Sequence, residues 1–171
     1  MRIEPNDPEV NFNLGNAYFS HNEFNCAIDC YSNAIKYHSQ YLDAYNNQAS
    51  AFRAIGDMDS AIASYQAALM ISPDYALANS NIGILYNELK MYQTAKSYLL
   101  HALVLEPDDV DARYNLGISY AGLGEYAEAE NTYQCVLKLN AKHVYAANNL
   151  AYLYRDLGRA IDAERFFFTG A

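Results

Sequence analysis

A period of 34 residues governs this chain. Gly83 and Gly117 are 34 apart, and Gly15 stands 68 before Gly83. Gly56, Gly124 and Gly158 repeat the spacings of 68 and 34, as do Pro5, Pro73 and Pro107. Self-similarity at a fixed period marks a repeat architecture, in which each unit buries its apolar face only against its neighbours. The period cuts the sequence without insertion into residues 1–7, 8–41, 42–75, 76–109, 110–143 and 144–171. One column of this grid is always alanine (Ala27, Ala61, Ala95, Ala129, Ala163) and another always asparagine (Asn13, Asn47, Asn81, Asn115, Asn149). A third is always a large aromatic: Tyr18, Phe52, Tyr86, Tyr120 and Tyr154.

Within a block the apolar pattern is helical. In residues 110–143, Ala112, Leu116, Tyr120 and Leu123 recur at steps of three and four before Gly124 ends the run. A second helix is expected from about Glu125 through Leu139, with Ala129, Tyr133, Val136 and Leu137 on one face. Pro107 supplies the stop between blocks, since proline cannot continue a helix interior. The prediction is an all-α chain of helix, tight turn, helix, tight turn, with antiparallel neighbours. The alanine column marks helix crossings too close for a larger side chain, and the aromatic column fills the space beside them.

The stretches N-L-G-N-A-Y at 13–18, A-I-A-S-Y at 61–65, P-D-Y at 73–75, N-L-G-I-S-Y at 115–120 and G-E-Y-A-E-A at 124–129 resemble the tetratricopeptide repeat. The resemblance covers the whole chain. It implies a solenoid, a right-handed superhelix of antiparallel helix pairs, with five repeats beginning at residue 8. Residues 1–7 align with the close of a repeat, Ile3-Glu4-Pro5 against Leu105-Glu106-Pro107, and the last block, 144–171, is short and uncapped. A fragment of a longer array, or an open end that meets another chain, is expected from this. Where the family often carries a large residue near each repeat's start, this chain has Asn11, Tyr45, Asn79, Arg113 and Ala147, which predicts slightly looser packing between repeats.

Composition narrows the partners. Eleven basic and 20 acidic residues give a net charge of −9, and 52% of residues are hydrophobic, enough for a core. So acidic a chain lacks the clustered Lys and Arg that nucleic acid or an anionic membrane surface requires. No apolar run reaches the roughly 18 residues of a membrane span, and M-R-I-E-P-N-D lacks the apolar stretch of a signal peptide. Three cysteines leave one unpaired, which points to a reducing, cytoplasmic setting. The acidic excess lies toward the N-terminal half, which favours a partner with basic residues there.

The resemblance also implies a concave groove, lined by the first helix of each repeat, that holds extended peptides or partner helices. It places the asparagine column in that groove, alongside Phe12, Asn16, Asn46, Tyr114, Tyr145, Asn148 and Tyr152. A carboxamide offers donors and an acceptor, the complement of a peptide backbone, and tyrosine offers an apolar ring with a polar tip. Such a ladder is similar to that of O-linked N-acetylglucosamine transferase. The amides can equally serve local hydrogen bonds to the neighbouring helix. The family's chaperone-tail clamp maps onto Phe12, Asn16, Asn47, Leu77 and Asn81 without its cations, so capture of an acidic tail is not expected.

Nothing in the sequence marks catalysis. Cys26 and Cys30 lack the further ligands that zinc needs, the four histidines fall in unrelated columns, and G-L-G at 122–124 ends a helix rather than following a strand. No catalytic residue, metal or cofactor is expected. The expected function is a scaffold binding a protein or peptide segment; the alternative is the recognition arm of a larger glycosyltransferase-like enzyme. Three consecutive phenylalanines, 166–168, cannot all share one buried stripe, so Phe166 and Phe168 predict a weak self-association edge.

Overall fold

The computed structural model describes residues 6–167, with side chains through Ala163. The expected self-association edge at Phe166 and Phe168 lies outside the described side chains. Ten helices follow one another: α1 (Pro8–Ser20), α2 (Phe24–Tyr37), α3 (Leu42–Ala54), α4 (Met58–Ile71), α5 (Ala76–Glu88), α6 (Tyr92–Leu105), α7 (Val110–Gly122), α8 (Tyr126–Leu139), α9 (Val144–Asp156) and α10 (Ala160–Phe167). The chain is all-α among the described residues, one helix pair per 34-residue block. It divides after Leu85, inside α5, into two compact units, called here unit 1 and unit 2.

Local chemistry sets the helix ends. Asp7 caps α1 by accepting from the amides of Glu9 and Val10, with Pro8 at the first helical position. Asp57 caps α4 and Asp109 caps α7 in the same way, and the Nδ1 of His143 accepts from Ala146 to cap α9. The turn inside each repeat is built alike. Gly56, Gly124 and Gly158 take φ of +83°, +76° and +72°, and Asn22 (+62°) and Lys90 (+59°) hold the same left-handed conformation in the other two repeats. The amide three residues beyond the end of each first helix then returns to the carbonyl of the aromatic column. Glu23 bonds to Tyr18, Asp57 to Phe52, Met91 to Tyr86, Glu125 to Tyr120 and Arg159 to Tyr154, at 2.8–3.0 Å. This six-to-one bond satisfies a helix-end carbonyl and fixes the reversal.

Within each unit the alanine column is fully enclosed: Ala27, Ala61, Ala95 and Ala129 expose nothing, and Ala163 very little. The deepest large side chains are Tyr31, Tyr65, Leu99 and Tyr133, one turn further along the second helices. The rings of Tyr31 and Tyr133 pack closely against the backbone of the first helix of their own repeat. A Cβ added to Gly15 would stand 2.6 Å from the Tyr31 ring, and one added to Gly117 would stand 2.5 Å from that of Tyr133. The small column containing Gly15 and Gly117 therefore exists to admit a ring.

The residues that replace the family's large side chain near the repeat start are not idle. Asn11 donates to the Asp7 carbonyl at 2.8 Å, Asn79 to those of Pro73 and Tyr75 at 2.9 and 3.0 Å, and the Arg113 guanidinium to that of Pro107. Each ties the turn to the helix that follows: the Pro73 and Pro107 carbonyls take a side-chain donor, and those of Asp7 and Tyr75 take one beside the backbone amide of Asn11 or Asn79.

Candidate functional site

The asparagine column sits on the first helices, half-buried at Asn47, Asn81, Asn115 and Asn149 and exposed at Asn13. In unit 1 it joins a chain of amides. The hydroxyl of Tyr31 donates to Asn16 Oδ1 at 2.8 Å, and Asn47 Nδ2 donates to the same oxygen at 2.9 Å. Asn46 Nδ2 donates to Asn47 Oδ1 at 3.2 Å, and Asn81 Nδ2 donates to Asn46 Oδ1 at 2.9 Å. Asn46 is buried, at 3% exposure, with both ends of its amide committed to other amides. In unit 2 the acceptors are phenols instead: Asn149 Nδ2 donates to the hydroxyls of Tyr114 and Tyr133 at 3.2 and 3.3 Å. Asn115 Nδ2 turns back to the Asp111 carbonyl of its own helix at 2.9 Å.

A rule underlies these pairs. Asn81 and Asn149 each donate to the residue one place before the asparagine of the preceding repeat, Asn46 and Tyr114, whereas Asn115 bonds within its own helix. Phe12 occupies that place ahead of Asn47 and has no acceptor, so Asn47 reaches Asn16. Asn47, Asn81 and Asn149 thus each strap their repeat to the one before. The amide oxygens of Asn81, Asn115 and Asn149 accept no hydrogen bond among the described residues.

The aromatic candidates divide. Phe12 is half-buried, its ring tilted against that of Tyr41 at 4.8 Å and packed against the unit 1 core. Tyr114 is likewise half-buried, its ring 4.8 Å from His143 and 6.5 Å from Tyr145. Tyr145 and Tyr152 are the open ones, at 71% and 48% exposure, and Asn148 is exposed beside them. Burial pushes the Tyr31 phenol up to about 12, and pushes those of Tyr114 and Tyr133 up as well, so these hydroxyls stay protonated as donors and acceptors.

Each unit carries a recess on this face. In unit 1 it measures about 260 Å³ and is lined by Asn16, Phe19, Tyr31, Asn47 and Ser50. In unit 2 it measures about 410 Å³, between the last turns of α7 and α9, with Tyr133, Asn149 and Tyr152 in its wall. Tyr92, Tyr126 and Asp156 also line it, and sequence reasoning passed over all three. The first two open α6 and α8, where Phe24 and Met58 hold the matching places in unit 1, so a column of large residues was there to be seen. Among the described residues no three His, Cys, Asp or Glu side chains are placed to hold a metal ion, and no helix is long and apolar enough to cross a membrane.

Models of the tetratricopeptide repeat (TPR) match residues 12–76, 76–109, 110–143 and 143–167. The chain belongs to the tetratricopeptide repeat family. No curated protein sequence matches it. Among solved structures its fold is similar to that of MamA, with a TM-score of 0.83 and 21% identity over 94% of this chain and 87% of that one. It is also similar to PilF of Pseudomonas aeruginosa (TM-score 0.86, 23% identity, 96% of this chain and 76% of that one). A third is YrrB, described as a TPR protein with an unusual peptide-binding site (TM-score 0.78, 22% identity, 94% and 83%). The likeness is one of fold.

Proposed function

We propose that this TPR chain is a protein-interaction scaffold that holds an extended partner segment against the first-helix face of its units. The observation that carries the reading is the coincidence of the two recesses. Both are walled by the same three columns: the asparagine (Asn47; Asn149), the residue one turn on (Asn16 and Ser50; Ile118 and Tyr152) and the buried tyrosine of the second helix (Tyr31; Tyr133). Amide oxygens at Asn81, Asn115 and Asn149 that accept nothing among the described residues suit the N–H groups of an extended backbone. Exposed Tyr145 and Tyr152 add contact area at little entropic cost. The described solved relative YrrB, with its peptide-binding site, supports the same reading by analogy of fold.

Asn115 and Tyr145 are the probes, because the Asn115 amide bonds within its own helix and Tyr145 is 71% exposed, meeting Tyr114 of the preceding repeat at a ring separation of 6.5 Å. Peptides selected on the full chain from a random library should bind the Asn115→Ala variant about two- to tenfold more weakly, as for one lost hydrogen bond. Tyr145→Ser should weaken them further, and both variants should melt with the parent. Selected peptides indifferent to both changes would place the binding surface elsewhere.

A further inference from the structure

We propose that the recess of unit 2 receives a basic side chain, arginine or lysine, from the partner segment. The inference rests on the reading of this face as a peptide-binding surface and adds what one position of that peptide must be.

Four tyrosines stand in the wall: Tyr92 and Tyr126 from the starts of α6 and α8, and Tyr133 and Tyr152 from α8 and α9. Ile118 and Leu153 give an apolar strip along which a methylene stem can lie. Tyrosine faces attract a cation through the ring quadrupole. The volume, about 410 Å³, falls in the range of roughly 300–1,000 Å³ usual for sites that take a small group.

Charge then decides the occupant. Two helix C-termini (α7, α9) and two helix N-termini (α6, α8) meet at this recess, so the ends of their macrodipoles offset one another. What remains is Asp156, the one charged side chain in the lining. It is the last residue of α9, where the backbone's negative pole disfavours a carboxylate, so helix stability does not account for it. Arg155 shows what the corner prefers. Its guanidinium lies 5.0 Å from the centre of the Tyr152 ring, and its Nε and Nη2 donate to Asp156 Oδ1 at 3.0 and 2.8 Å. Both bonds end on Oδ1. Oδ2 accepts none among the described residues and is open to a second cation. The pair is well exposed, 61% and 66%, so it contributes little to folding and competes weakly with an incoming group.

The test uses the full, isotope-labelled chain titrated with three acetylated pentapeptides, Gly-Ser-Xaa-Ser-Gly amide, where Xaa is arginine, citrulline or norleucine. Amide shifts of Gly122 and Gly124 report the recess. The arginine peptide should bind about fivefold or more tightly than the other two. Asp156→Asn should erase that preference, Tyr152→Leu should reduce it, and Arg155→Gln should strengthen arginine binding by removing the internal competitor. Equal affinity for arginine and citrulline overturns the proposal while leaving the peptide-binding reading in place. An arginine preference that survives in both Asp156→Asn and Tyr152→Leu also overturns it, since the cation then binds elsewhere. Shifts at Gly122 and Gly124 with none of the three peptides, up to millimolar concentration, would remove both readings together.

Discussion

In unit 1 the strap between repeats runs amide to amide, Asn81 to Asn46, whereas in unit 2 it runs from one amide to two phenols, Asn149 to Tyr114 and Tyr133. The same invariant column makes both. The difference comes from the place just before it in the preceding repeat, which is free to vary because any acceptor of the right reach completes the bond. The consequences differ in kind. Unit 1 buries an amide at Asn46 and has a smaller recess lined by Asn16, Phe19, Tyr31, Asn47 and Ser50, while unit 2 has a larger one with four tyrosines in its wall. Charge follows the same division: residues 1–85 hold nine acidic and three basic residues, and residues 86–171 hold eleven and eight. A repeat scaffold can therefore hold its fold constant and vary its binding chemistry unit by unit.

The largest expected effect treats the two units alike. Each holds three phenols whose ionisation the fold pushes up: Tyr31, Tyr41 and Tyr75 in unit 1, and Tyr114, Tyr133 and Tyr154 in unit 2. Burial is the leading cause for all six, and at Tyr75 the hydrogen bond to Asp43 adds to it. A raised folded value gives stability that is complete below the ordinary tyrosine value of 10 and is lost as pH climbs through about 12, because only the unfolded chain ionises in that window. Helicity should collapse there, followed by far-ultraviolet dichroism together with tyrosinate absorbance. Both units should go in the same window. Two separate alkaline steps would break the likeness between them.

A smaller effect should separate the units. Asn46→Ala leaves Asn81 without its acceptor and Asn47 without a donor in a buried place, and should cost about 1–3 kcal/mol in urea unfolding. Tyr114→Phe removes one of two acceptors from Asn149, which keeps Tyr133, so the loss should be about 0.5–1.5 kcal/mol. A cost at Tyr114 equal to or above that at Asn46 would mean the doubled strap gives no redundancy.

The smallest effect concerns the left-handed turn residue. Lys90 takes this conformation at a cost of about 1 kcal/mol relative to glycine, whereas Asn22 tolerates it better. Lys90→Gly should therefore raise the melting temperature more than Asn22→Gly does. A reversed order would show that the side chain of Lys90 contributes more than its backbone costs.

Much of this molecule is determined by its sequence alone. The 34-residue period, the alanine column at the crossings, the turn glycines and the apolar steps of three and four specify helix pairs and their order, because each is a local requirement met within one repeat. Turn residues Asn22 and Lys90 sit in register with the glycines but could not be told from ordinary loop residues, since residue type alone does not report φ. The partners of the asparagines were beyond reach for a different reason. A helical period says which face a side chain occupies, but the atom it meets one repeat away depends on how far successive helices are offset, a quantity set by the packing of Tyr31 on Gly15 and of Tyr133 on Gly117. The same offset carries Tyr92 and Asp156, 64 residues apart in the chain, to one recess. Periodicity chose the faces, and the tertiary structure decided which residues those faces bring together.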